Sequence, residues 1–243
     1  MPKNIAPLPD WELVLSSAAR LQRILPDAVL VGGTASAIHA GHRFSRDADH
    51  VVPDLRHRFD DVLAQLESVA GWKTARVRRP VQILGSLDGI ETGVRQLIRE
   101  EPLETTTVNL HGSPITVPTE GEILRIKGIL ILKRNATRDY IDFVAMAHHM
   151  GEERAANSLQ SFDRLYPQDN GESPLQQLQV QLANALPYDL EDVGAELREY
   201  KNLDPRWHQW EAVKAACSHL ATVIFDRTCD TDTTRQSGNR PAP

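Results

Sequence analysis

The chain has 243 residues, a formal net charge of −6, 41% hydrophobic residues and 25% charged ones. That length holds one large domain or two small ones with a real core, and the acidic balance excludes a generally basic nucleic-acid coat while leaving room for a local basic patch. The two cysteines, Cys217 and Cys229, stand apart from any CxxC or Cys/His spacing, which excludes a disulfide framework and a zinc finger.

The opening stretch MPKNIAPLPDWELV lacks the apolar centre of a signal peptide, and runs such as ILIL at 129–132 are far too short to span a bilayer. A cytoplasmic protein without a membrane partner is expected. Asp10 stands ready to cap a first helix, 11–25, that Pro26 ends. AVLVGG at 28–33 reads as a short strand entering a turn, TASAIHAG as a helix stopped by Gly41, and DADHVV at 47–52 as a second strand. Residues 56–70 form an amphipathic helix stopped at Gly71. The stretches 72–87 and 106–117 read as hairpins, so the first half mixes helices with a sheet of about four or five strands. From Thr119 the pattern is helical. Thr119 and Glu122 form a capping box, Asn135 is placed to cap the next helix, and Ser173 with Pro174 starts another. A last helix begins near Trp207. Its neighbours in sequence, DRTCDTDTTRQSGNRPAP, lack apolar periodicity. The expected organisation is an α/β core over 1–118, a helical region over 119–226 and a disordered tail over 227–243.

The chemistry-bearing stretch is VGGTASAIHAGHRFSRDADHV at 31–51. Asp47 and Asp49, at i and i+2 on a strand, point to one face, where like charges repel unless a cation lies between them. Oxygen ligands of this kind suit Mg²⁺ or Mn²⁺, which also takes oxygens from a substrate phosphate. Gly32 and Gly33 allow a tight turn and close backbone approach, and the helix that follows aims its N–H groups at an anion. Thr34 and Ser45 add hydroxyls. A metal-bound nucleoside triphosphate fits this arrangement. An Asp-x-Asp or a Gly-Gly by itself is most often only surface or turn; here both flank one short helix.

Gly-Gly, a short helix and Asp-x-Asp together resemble the signature of the polymerase-β-like nucleotidyltransferase fold. The string GGTASAIHAGHRFSRDADHVV is similar to the first motif of the AbiEii/AbiGii nucleotidyltransferase toxin family, and LRIKGILILKRNATRDYIDFVAMA, with a lysine helix before Arg-Asp-x-x-Asp, resembles its later motif. The resemblance covers roughly residues 30–147. It implies an α/β nucleotidyltransferase core with a small mixed sheet, Mg²⁺ (or Mn²⁺) as cofactor, an NTP substrate and an RNA (the 3′ end of tRNA) or protein hydroxyl as acceptor. It further implies a toxin–antitoxin or phage-defence setting with a cognate antitoxin as partner. Asp47, Asp49, Lys127 and Asp142 would be catalytic, and Gly32, Gly33, Thr34, Ser45, Arg134 and Asp139 would hold the nucleotide. The alternative is a catalytically inactive relative that keeps the fold as a binding or regulatory module.

Read from the residues, Lys127 on an apolar helix either meets an anion or snorkels to water. Asp139 and Asp142 share a helix face, and Asp139 near the helix start equally suits pairing with Arg134 or Arg138. A further metal-binding carboxylate has no clear place; Asp88 and Glu91 in GSLDGIETG look loop-borne. Lys73, Arg76, Arg78 and Arg79 crowd one segment that is either a solvated strand edge or an RNA contact, with Trp72 offering a stacking face.

Overall fold

The computed structural model describes residues 10–110, 112–193, 197 and 200–237. The chain divides into two compact units, 1–119 and 120–243.

In the first unit, α1 (Trp11–Ile24) begins at Asp10, whose carboxylate accepts the Glu12 N–H at 3.2 Å. There follow β1 (Val29–Leu30), α2 (Gly32–Ala40), β2 (Ala48–Val52), α3 (Phe59–Glu67), β3 (Trp72–Arg78), β4 (Gln82–Leu87), β5 (Ile90–Gln96) and a separate hairpin of β6 (Thr105–Leu110) with β7 (Ser113–Pro118). The first five strands form one sheet in the order β1-β2-β5-β4-β3. Only the β2–β5 pair is parallel; the other neighbours are antiparallel.

Alternation decides what each face of this sheet does. Ala48, His50 and Val52 of β2 are buried, and Val52, Ile83, Leu87, Val94 and Trp72 join Leu21 and Leu25 of α1 and Phe59, Val62 and Leu66 of α3 in one core. Each fully buried aliphatic side chain here contributes about 1.5–3 kcal/mol. The opposite face carries Asp49 and Val51. Gln22 of α1 fastens the β6–β7 hairpin, its amide donating to the Thr116 carbonyl and accepting from the Thr116 N–H, both at 2.8 Å.

Three readings of the sequence change here. GSLDGIETG is not a loop: Asp88 and Gly89, with φ of 54° and 82°, make a two-residue turn, and Glu91 lies on the central strand β5. Asp88 pairs with Arg20 of α1, which also donates to the Ala70 carbonyl. Trp72 is a core residue whose ring N–H donates to Thr74 Oγ1 at 2.9 Å, so it offers no stacking face.

The second unit contains α4 (Glu120–Arg134), α5 (Thr137–Met150), α6 (Glu152–Ser158), a 3₁₀ turn, α7 (Phe162–Leu165), α8 (Pro174–Ala183), α9 (Leu190–Val193), a second 3₁₀ turn and α10 (Trp210–Ser237). Ser173 caps α8 through the Gln176 N–H, with Pro174 in the first turn. Gly128 lets α4 approach α7 and α8; a Cβ there would lie 2.9 Å from Leu178 and 3.1 Å from Phe162. Asn135 does not cap α5. It sits at φ 45° between the helices, where its side chain meets Tyr140 and Gln181, and the carboxylate of Asp189 takes the N–H and hydroxyl of Thr137, both at 2.7 Å. The tail expected from 227 onward continues α10 as far as Ser237, since no Gly or Pro interrupts it before Gly238; residues 238–243 lie outside the described residues. Among the described residues, no helix is long and apolar enough to cross a membrane.

Candidate active site

The sheet face that carries Asp49 is where the first motif converges. Gly32 opens α2 at φ 73°, a conformation that favours glycine, and α2 has no capping side chain at Val31. Its first N–H groups and dipole therefore end beside β2. Two bonds lock helix to strand: the Val31 N–H donates to the Asp49 carbonyl at 2.8 Å, and the buried Thr34 hydroxyl donates to the Asp47 carbonyl. Thr34 thus spends its proton on the strand. Gly33 makes room for the buried Arg43, since a Cβ there would lie 2.3 Å from Arg43 Nη2 and 3.1 Å from Ser45 Oγ. Ser45 donates to Asp47 Oδ1 at 2.9 Å and so orients that carboxylate. Asp47 stands one residue before β2, and both aspartates are part-exposed.

The neighbouring strand shapes the rest of this face. Asp49 is in register with Gly93 of β5, and a Cβ at Gly93 would come within 2.9 Å of Asp49 Oδ1. Arg95, two residues on, reaches Asp49 Oδ2 with Nη2 at 3.6 Å. Arg43 and Arg95 were not singled out in the sequence. Arg43 had a signal in its place between the glycines and the aspartates, whereas Arg95 had none until register set it beside Asp49. Further across, Arg76 pairs with Leu84, which pairs with Gly93; Arg78 pairs with Gln82, which pairs with Arg95; and Lys73 pairs with Ser86, which pairs with Glu91. A bulge between Thr74 and Arg76 brings Lys73 into phase with Arg76 and Arg78. All three are exposed on β3, the sheet's edge, on the same face as Asp49. Arg79 is not among them: it pairs with Asp60 and lies over the Phe59 ring at 5.0 Å, on the α3 side.

Behind the site, His50 is fully buried on the core face, and desolvation pushes its pKa down from 6.5 to about 4; backbone groups of Ala48 and Ala18 offset only part of this. His39 is bonded to the Pro118 carbonyl at 2.7 Å. Among the described residues, no three of His, Cys, Asp and Glu come together as a metal site. The carboxylates of Asp47 and Asp49 are the pair that could hold a metal ion. That suits a hard divalent cation whose remaining oxygen ligands arrive with a triphosphate.

In the second unit, Lys127 is 1% exposed and Asp139 and Asp142 are 0% exposed. The Lys127 ammonium is 2.7 Å from Asp142 Oδ2 and 3.3 Å from Asp139 Oδ1. Arg134 binds Asp139 in two-pronged fashion, Nε to Oδ2 and Nη2 to Oδ1, both at 3.0 Å, and is itself part-exposed. Lys127 thus meets anions, and they are carboxylates of its own unit. The Glu122–Arg125 pair, at 3.0 Å, is also buried on α4.

Comparison with solved structures bears on the fold. A crystal structure of a nucleotidyltransferase from H. pylori matches with a TM-score of 0.50 over 89% of this chain and 94% of that one, at 16% identity. The fold is that of the nucleotidyltransferases. JHP933 from Helicobacter pylori aligns over 94% of this chain and 99% of its own at TM-score 0.49 and 16% identity. An antigenic nucleotidyltransferase-like protein from Paracoccidioides brasiliensis aligns over 65% and 90% at 0.45 and 20%. No family model matches the chain. By sequence it is similar to the heme uptake protein MmpL11 of Mycobacterium tuberculosis, 31% identical over 256 residues. It is also similar to the mycolic acid-containing lipids exporter MmpL11 of Mycolicibacterium smegmatis, 28% identical over 239 residues. The alignments take in 91% and 93% of this chain, which spans less than a quarter of the length of the curated relatives it matches, 23% in each case.

Proposed function

We propose that this protein is a metal-dependent nucleotidyltransferase that moves a nucleotide from an NTP onto a hydroxyl and releases pyrophosphate. The observation that carries this reading is the joint placement of a glycine-led helix start and the Asp47/Asp49 pair on one face of a nucleotidyltransferase-fold sheet. Asp47 and Asp49 would hold Mg²⁺ or Mn²⁺. When bound, such an ion neutralises phosphate charge and activates the attacking oxygen. The chain's own residues do the rest. The N–H groups of Gly32 and Gly33 and the guanidinium of Arg43 offer positive charge to the triphosphate. Ser45 fixes the Asp47 carboxylate, and Thr34 fixes the helix to the strand. In the second unit, Arg134 is the part-exposed member of the cluster it forms with Lys127, Asp139 and Asp142, and by the resemblance it is assigned to nucleotide phosphate.

The resemblance of the two motifs supports an AbiEii/AbiGii-type toxin acting with a cognate antitoxin. The acceptor is read as RNA, the 3′ end of tRNA, because Lys73, Arg76 and Arg78 extend the Asp49 face with the positive charge that a phosphate backbone needs. The test is incubation of purified protein with each labelled NTP, Mg²⁺ and total RNA, beside Asp49→Ala. Label should enter RNA and vanish in the variant while both proteins melt alike. Label on protein instead would make the acceptor a hydroxyl side chain.

A second reading is a nucleotidyltransferase-fold module that binds or regulates without turnover. It is favoured by the likeness to a part, under a quarter, of proteins named for transport. Wild-type protein that binds NTP but transfers nothing to RNA or protein would establish it.

A further inference from the structure

Three residues of β5 share the face of Asp49: Glu91, Gly93 and Arg95. For a second metal to be held here, this strand is where another acid ligand would stand. Gly93, directly across from Asp49, offers no side chain, and a Cβ there would crowd Leu84 Cδ2 at 2.6 Å and Asp49 Oδ1 at 2.9 Å. Glu91 is exposed and, among the described residues, no third carboxylate joins the pair. Where the face next offers a side chain, it offers a cation, Arg95, at 3.6 Å from Asp49.

We propose that Arg95 supplies the second positive charge of this site, so that the protein works with one divalent cation and a guanidinium where two-metal enzymes use two cations. The inference rests on the nucleotidyl-transfer reading. Without nucleotide, Arg95 is a cation beside Asp49 at 3.6 Å. With a divalent cation held by Asp47 and Asp49 beside a triphosphate, the Arg95 guanidinium would leave Asp49 and turn to the triphosphate, whose charge one cation would leave partly unbalanced. Arg suits this role because its planar fork grips two phosphate oxygens at once. With its side chain 41% exposed, Arg95 is free to turn without leaving a buried cavity. Gln82 and Arg78 continue its row across the sheet, so no carboxylate there competes for it.

The scheme makes Arg95 compete with free metal and cooperate with nucleotide, two effects of opposite sign. The test uses the full chain, Mn²⁺ counted by electron paramagnetic resonance, and a non-hydrolysable ATP analogue titrated by calorimetry. Wild type should hold one Mn²⁺ per chain in the ternary complex. Arg95→Ala should bind Mn²⁺ alone more tightly by about threefold to tenfold, since a neighbouring cation is gone. The same variant should bind the Mn²⁺–analogue complex about tenfold more weakly or worse, with Arg95→Lys in between. A residue that only supports the strand would move both affinities the same way, and that result would overturn the proposal. So would two Mn²⁺ per wild-type chain, falling to one in Glu91→Ala. If wild type takes up no Mn²⁺–analogue at all, the nucleotidyl-transfer reading fails and Arg95's role goes with it.

Discussion

Lys127→Met separates a structural lysine from a phosphate-binding one. Lys127 and Arg134 face Asp139 and Asp142, and Arg134 is already committed to both oxygens of Asp139. Methionine keeps most of the stem's volume, so little cavity forms. It removes the ammonium, however, and takes from the fully buried Asp142 its 2.7 Å ion pair and from Asp139 its 3.3 Å one. Removing one partner of a buried ion pair costs about 3–5 kcal/mol, because the remaining charge stays desolvated. For a chain of this size that lowers the melting temperature by roughly 10 °C or more. Urea unfolding followed by circular dichroism, with thermal melts beside it, measures the loss. The control is Lys127→Met with Asp142→Asn, which removes the stranded charge and should recover most of the stability, to within about 1–2 kcal/mol of wild type. Nucleotide transfer is then compared between Asp142→Asn alone and the recovered double variant, where a further loss in the double variant reports on phosphate contact by Lys127 and an unchanged rate on a structural role. A single variant within about 0.5 kcal/mol of wild type would refute the reasoning, since that is how a water-facing lysine behaves.

His50 gives the protein a pH dependence. Because its folded pKa of about 4 lies below the ordinary 6.5, the unfolded chain takes up a proton that the folded chain refuses, so stability is full above 6.5 and falls on acidification toward 4. The window amounts to about 3 kcal/mol, and His50→Gln in metal-free protein should flatten that part of the stability profile; parallel profiles would count against it. Gly33→Ala should fold but displace Arg43 and weaken NTP binding about tenfold, read by calorimetry, with unchanged affinity showing that Arg43 stands clear of the nucleotide. Arg76→Glu with Arg78→Glu should cut transfer to tRNA and flatten its salt dependence while leaving NTP binding alone. Normal transfer across the salt series would make this strand a plain solvated edge.

Local chemistry was readable where its partners are close in sequence. Asp10 and Ser173 cap the helices they precede, Gly41 closes α2 at φ 62°, and the alternation of DADHVV sets Asp49 on the opposite face from Val52. What failed depends on residues far away in the chain. Asp88 and Glu91 in GSLDGIETG read as loop-borne because of the glycines around them, yet Glu91 lies on the strand Ile90–Gln96, whose Gly93 is packed between Leu84 and the Asp49 carboxylate, 44 positions earlier. Asn135 loses its expected cap to Asp189, which takes the Thr137 N–H from 52 residues beyond that threonine. Lys127 was readable as a lysine that meets an anion, but spacing alone did not say that the anions belong to α5. The basic run divided for a similar reason: Arg79 has just passed the end of β3 and turns to Asp60.

The irregularity at Ala75 has a consequence for how this chain tolerates changes of length. Thr74 and Arg76 face Gly85 and Leu84, which are adjacent in β4, so Ala75 is a surplus residue that the ladder steps around. Deleting it would heal the edge and leave every other side chain of β3 on its present face. A deletion within 48–52 would instead turn one part of β2 over, sending Asp49 toward the core or Val52 toward water. Single-residue gaps among homologous chains should accordingly gather at position 75 and avoid the strand of the aspartates.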